Sequence, residues 1–120
     1  MKQATKTPFK SLVIEDEYIQ FDDFYDENKI QIYEAIIGIF KSFLTSKKQT
    51  LTLRISANIN GIPWETDFHF NVQSDLIVLS RDILPFFIER EMYELCAEIK
   101  HIFDKLIKRN NKKLKNEKSK

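Results

Sequence analysis

Two runs of alternating apolar and polar residues meet at Asn60-Gly61. Leu51, Leu53, Ile55, Ala57 and Ile59 lead in, and Ile62, Trp64, Phe68, Phe70 and Val72 lead out. Asn-Gly favours a type I′ turn because both central residues take positive φ, and a two-residue loop of that type joins antiparallel strands. The spacing therefore predicts a hairpin with strands 50–59 and 62–72, in which opposed residue numbers sum to 121. One face pairs Ile59 with Ile62, Ala57 with Trp64, Leu53 with Phe68 and Leu51 with Phe70. The other pairs Arg54 with Asp67 and Thr52 with His69. Pro63 falls opposite Asn58, a site without ladder bonds, where its missing N–H is tolerated on an edge strand.

Other segments follow helical or mixed patterns. Leu12 to Phe21 is rich in β-branched and aromatic residues and predicts one strand or a short hairpin. Asp26 or Asn28 can cap a helix running to about Thr45. Ile30, Tyr33, Ile36, Ile37, Phe40, Phe43 and Leu44 form its apolar face. Gly38 in mid-helix costs about 1 kcal/mol relative to Ala, which predicts close approach of the helix to the sheet. Beyond the hairpin, Gln73-Ser74-Asp75 reads as a turn and Leu76-Ile77-Val78-Leu79 as a third, more buried strand, 75–79. Ser80 or Asp82 opens the last helical region, with Pro85 in its first turn. Met92, Leu95, Cys96, Ile99, Ile102, Phe103 and Leu106 recur at three- and four-residue steps. Spacing alone leaves open whether 82–109 is one helix or two.

The expected architecture is α+β: a small antiparallel sheet, hairpin 50–72 plus strand 75–79, packed on two helices in the order (β)-α-β-β-β-α. Residues 1–10 are expected to form a flexible arm, 11–109 a single domain and 110–120 a basic flexible tail. That chain order is similar to the double-stranded-RNA-binding domain. The family's Gly-Pro-x-His loop and lysine-rich start of the last helix have no counterpart here, where a two-residue turn and Arg81-Asp82-Ile83-Leu84-Pro85 stand instead, so no RNA-binding residue carries over.

At 120 residues the chain is large enough for one ordinary core, and 42% hydrophobic with 31% charged is a soluble composition. No apolar run approaches the roughly 20 residues of a spanning helix. A polar start without a secretory signal and a single cysteine, Cys96, point to the cytoplasm. Lysine, asparagine and isoleucine are abundant while Gly is scarce, the bias of an AT-rich genome. The net charge of +1 hides a segregation. Seven acids and no base lie between Glu15 and Glu27, whereas seven bases and one acid lie between Lys108 and Lys120.

Metal and nucleotide chemistry find little to use: two histidines, one cysteine and two glycines supply neither a ligand set nor a phosphate-binding loop, so no metal or cofactor is expected. Cys96 sits among Leu95, Ala97 and Ile99 and reads as a core residue. Arg54, Glu65, Asp67 and His69 share one polar sheet face and are the best acid–base constellation, yet such residues ordinarily serve solubility and cross-strand pairing. The expectation is a protein without catalytic activity.

The basic tail, with Lys108, Arg109, Lys112, Lys113 and Lys115, can neutralise phosphates in a sequence-independent way, so a nucleic-acid-binding accessory protein is the alternative reading. In the acidic segment Tyr18, Phe21, Asp22, Asp23, Phe24 and Tyr25 interleave aromatic and acidic side chains, suiting a surface that meets a basic, partly apolar partner. Gln20-Phe21-Asp22-Asp23-Phe24 resembles the bacterial sliding-clamp-binding peptide, with Asp23 where that peptide has an apolar residue. Tyr93-Glu94-Leu95-Cys96-Ala97-Glu98-Ile99-Lys100 is similar to the partner-joining helical hairpin of bacterial excision-repair proteins. Neither match carries residues over. The favoured expectation is a small protein–protein interaction, accessory or inhibitor protein of a phage or other mobile element. A homodimer through the seam from Met92 to Leu106 is a further expectation.

Overall fold

The computed structural model describes residues 8–118, with side chains described as far as Lys112. The chain forms two compact units: one takes residues up to Ile39 together with Leu51–Phe70, the other Phe40–Thr50 and the chain from Asn71 onward.

In the first unit, β1 (Lys10–Tyr18) leads through α1 (Phe21–Glu27) into α2 (Lys29–Phe43), which begins in this unit, and then to the hairpin of β2 (Thr50–Ile59) and β3 (Ile62–Asn71). Asn60 at φ 54° and Gly61 at φ 76° make the turn that Asn-Gly predicts. The expected register holds: Thr52 lies against His69, Arg54 against Asp67 and Ser56 against Glu65. β3 is an edge, as Pro63 requires.

The α+β class holds as well, with two corrections. The sheet is mixed, in the order β1-β2-β3, because β1 pairs parallel with β2. A parallel pair needs a long crossover, and α1 with α2 supplies it. The register slips between Val13 and Glu17, where β1 carries two more residues than β2, so Glu15 and Asp16 bulge out beside buried Ile14. The second correction removes strand 75–79. Asn71 Oδ1 accepts the Gln73 and Ser74 amides, and the next bonds are local: Val78 N–H to Asp75 O and Leu79 N–H to Leu76 O, both 3.1 Å. Backbone groups satisfied three residues back have no use for a sheet. The likeness to the double-stranded-RNA-binding order falls with that strand.

α2 buries Ile32, Ala35, Ile36, Ile39, Phe40 and Phe43, a stripe at three- and four-residue steps, and leaves Ile30 exposed. Gly38 is approached by the Lys10 amine, 3.3 Å from where a Cβ would stand, so the close contact is a flexible side chain from β1. The α1–α2 junction is Asn28, the one buried polar side chain among the described residues. Its amide donates to Phe24 O at 2.9 Å and to Tyr18 Oη at 3.0 Å, and its Oδ1 accepts from Gln31 Nε2. Asp26, the other expected cap, lies inside α1.

In the second unit a five-residue π-helical stretch, Leu79–Ile83, runs into α3 (Leu84–Glu89), and α4 (Tyr93–Lys118) follows. The widened turn stands just ahead of Pro85, which has no N–H to give and whose ring disrupts ordinary α spacing. Residues 82–109 therefore form two helices. α3 ends in a Schellman arrangement: Met92 N–H bonds Phe87 O, Glu91 N–H bonds Ile88 O, and Glu91 takes φ 59°. Leu76, Leu79, Ile83 and Phe87 share the core of this unit with Cys96, Ile99, Ile102 and Leu106. The seam expected to close a homodimer is thus already spent within the chain. α4 stays helical to Lys118 instead of fraying past Arg109, since adding a residue to an existing helix needs no new nucleus and lysine and leucine are good helix formers. Residues 1–7 of the expected arm lie outside the described residues, and Phe9 already donates to Thr52 O.

Candidate functional site

Alternation puts Leu51, Leu53, Ile55 and Ala57 of β2 on the inner face, and all are buried. β3 has no such cover. Ile62 is 64% exposed, Phe68 38%, and Trp64 and Phe70 are half-buried. A cleft of about 250 Å³ opens there, lined by apolar side chains that include Phe21, Phe24, Tyr25, Trp64, Phe68 and Phe70. Phe24 is its floor, buried and in ring contact with Tyr18, Phe21 and Trp64 at centroid distances of 5.6, 5.6 and 5.5 Å. Phe21 is 44% exposed, packs edge-on to Trp64 at 5.3 Å and stacks on Tyr25. Lys29 lies over the Tyr25 ring, 5.0 Å from its centroid.

The acidic residues sit beside this aromatic cluster. Asp16, Glu17, Tyr18, Ile19, Asp23 and Glu27 line a shallow, open depression of about 530 Å³ between the end of β1 and α1. Ile19 is 78% exposed at its rim. Of the residues singled out from sequence, Asp22 and Asp23 are exposed, Tyr18 and Tyr25 are half-buried, and Phe24 supports the surface from beneath. The Gln20–Phe24 stretch is accordingly no free peptide: most of it is helix α1, with its last aromatic in the core. Sequence reasoning missed Ile19, whose only signal was an aliphatic residue following the acidic run.

The opposite sheet face is a ladder of cross-strand pairs. Arg54 grips Asp67 with two bonds, Nε to Oδ1 at 2.7 Å and Nη2 to Oδ2 at 3.0 Å, and Nε stands 3.4 Å from Glu65. This hydrogen bonding holds the Asp67 carboxyl below the ordinary range and raises Arg54 above its own. Thr52 Oγ1 and His69 Nδ1 lie 2.8 Å apart, and Ser56 Oγ reaches Glu65 at 3.4 Å. Each acid and the imidazole is occupied by the residue opposite, so the groups brace the hairpin rather than converge on a common point.

Among the described residues, no three His, Cys, Asp or Glu side chains come close enough to hold a metal ion. Cys96 is buried in the second unit. No described helix is long and apolar enough to cross a membrane. On α4, His101, Lys105, Lys108 and Lys112 are exposed at steps of four, three and four, one basic stripe. Arg109 instead donates to Phe43 O at 2.7 Å, and Asn110 to Val72 O at 3.1 Å, so both tie α4 to its own unit. The side chains of Lys113 and Lys115 lie outside the described residues. Comparison with family models, curated proteins and solved structures finds no match for this chain.

Proposed function

We propose that this chain is a protein–protein interaction module, an accessory or inhibitory protein that meets a basic partner through the acidic and aromatic surface of β1 and α1. The observation that carries this reading is the setting of Ile19 and Phe21: two exposed apolar anchors among Asp16, Glu17, Asp22 and Asp23. Apolar anchors supply most binding energy, while the surrounding acids steer a cationic partner and set its orientation. Buried Phe24 and Asn28 hold that platform in place. A phage or mobile-element origin fits the AT-rich residue usage, and an unpaired cysteine suits a reducing cytoplasm.

The test is capture of host proteins by wild-type chain, by Asp22→Lys/Asp23→Lys and by Ile19→Ser/Phe21→Ser, each first checked for an unchanged circular dichroism spectrum. A stoichiometric partner lost from both variants supports the proposal. A partner retained by both, or none at all, sinks it.

The α4 stripe favours a second reading, nucleic-acid binding with a steep salt dependence. Because Arg109 and Asn110 anchor the helix, the informative variant is Lys105→Glu/Lys108→Glu/Lys112→Glu rather than truncation at 110. A wild-type chain that shifts no DNA or RNA at low salt rules this reading out.

A further inference from the structure

Among the described residues β3 is one of the two edge strands of the sheet, with β1 at the other side. Ile59 and Ile62 close the two-residue turn as a hydrogen-bonded pair, so even-numbered residues of β3 direct N–H and C=O toward β2, and odd-numbered residues direct theirs outward. Two bonds agree with this phase. Thr52, opposite His69, turns its carbonyl away from β3 to accept from Phe9, and Asn71 turns its amide outward to Asp75 Oδ2 at 2.7 Å. Pro63 has no amide proton, and that of Asn71 is taken. Among the described residues, the outward donors left along β3 are Glu65, Asp67 and His69, centred on Asp67.

We propose that this edge pairs antiparallel with the same edge of a second copy of the chain, about a two-fold axis through Asp67. Only that register gives all three amides and all three carbonyls a partner: Glu65 opposite His69 of the second copy, Asp67 opposite Asp67, His69 opposite Glu65. A shift of the axis by one residue toward Pro63, onto Thr66, sets Glu65 against Asp67. A shift the other way sets the Glu65 carbonyl against the occupied amide of Asn71.

Side chains agree with the same register. Glu65 meets an imidazole on the outer face, and each Asp67 reaches the axis already gripped by its own Arg54. On the inner face Trp64 comes opposite Phe70, and Thr66 opposite Phe68, covering apolar surface that the helices of one chain leave open. Pro63 and the Asn71–Asp75 bond set the two ends of the ladder, and because both copies spend the same edge about a two-fold axis, the pairing closes as a dimer. Six backbone bonds and a few aromatic contacts make a small interface, so the dimer is weak, with a dissociation constant on the order of 10–100 µM.

Sedimentation equilibrium of the full chain between about 5 µM and 1 mM reads this directly. A monomer–dimer equilibrium is expected, weakened about tenfold by Glu65→Lys and likewise by His69→Glu, and restored in the double variant. Residues 65 and 69 lie about 13 Å apart along one strand, so the rescue cannot occur within a chain. Circular dichroism checks that each variant folds. Amide exchange of the unaltered protein provides a readout free of mutations: Glu65, Asp67 and His69 amides should gain protection as concentration rises. A chain that stays monomeric at 1 mM, a double variant no tighter than the singles, or a dimer that leaves those three amides unprotected overturns the proposal.

Discussion

Replacing Phe24 by Ala tests whether the aromatic cluster is the keystone of the first unit. Phe24 is 1% exposed, and its ring meets Tyr18, Phe21 and Trp64. Burial of a phenylalanine side chain contributes about 1.5–3 kcal/mol. Favourable ring pairs add about 0.5–1.5 kcal/mol each, only part of which is lost when neighbours relax. A void deep in a core would add more, but here the vacated volume joins a cleft already open to solvent. The expected destabilisation is therefore about 3–4 kcal/mol, toward the low end for Phe→Ala. Phe21→Ala is the matched comparison: its ring is 44% exposed, and about 1 kcal/mol is expected. Urea unfolding followed by fluorescence suits both, because Trp64 is the only tryptophan and touches both rings. It reports on the first unit alone. Equal losses for the two variants, or a larger loss for Phe21, would show that the packing order argued for β1, α1 and β3 is wrong.

Gly61→Val should cost about 1–2 kcal/mol, because a Cβ there meets no atom and the whole penalty is the strain of φ +76° for a branched residue. An unchanged melting temperature would contradict the turn assignment. Glu91→Gly should raise the melting temperature of the second unit by about 2–5 °C, since glycine adopts the left-handed cap at φ 59° without penalty. A fall, measured by circular dichroism at 222 nm, would mean that the Glu91 side chain contributes more than its backbone strain costs. Asp67 has a lowered folded pKa, so its contribution is complete above the unfolded value of about 3.9 and disappears as pH falls through the folded one. Asp67→Asn should accordingly melt lower than wild type at pH 7, with the gap closing under acid. A gap constant from pH 7 to about pH 2 would refute the linkage.

The hairpin was readable because its determinants are local: a turn that accepts few residue pairs, and an alternation that admits one register. The 76–79 segment misled for an equally physical reason. Four consecutive apolar residues satisfy a buried strand and a buried helical turn alike. Extending the count to Leu76, Leu79, Ile83 and Phe87 gives helical spacing, and Ile77, off that stripe, is 49% exposed. The parallel pairing of β1 had no local signal, since its partner lies across two helices. The apolar cleft was equally hidden. Its lining comes from α1, α2 and both hairpin strands, and no single window contains it. The acidic and aromatic surface was visible as composition, but which rings face out was decided by Asn28 and Phe24 below them.

Asn28 also bears on timing. By tying Tyr18 of β1 and Phe24 of α1 to the start of α2, it fixes the spacing of the acids on either side before anything arrives. On the proposed reading, a cationic partner landing there meets charges already set in place by β1 and α1, and its association should be one diffusive phase, slowed by added salt, with no slower ordering step behind it. Loosening that clasp, as in Asn28→Ala, would leave the charges where they are in sequence yet add an ordering step to every encounter.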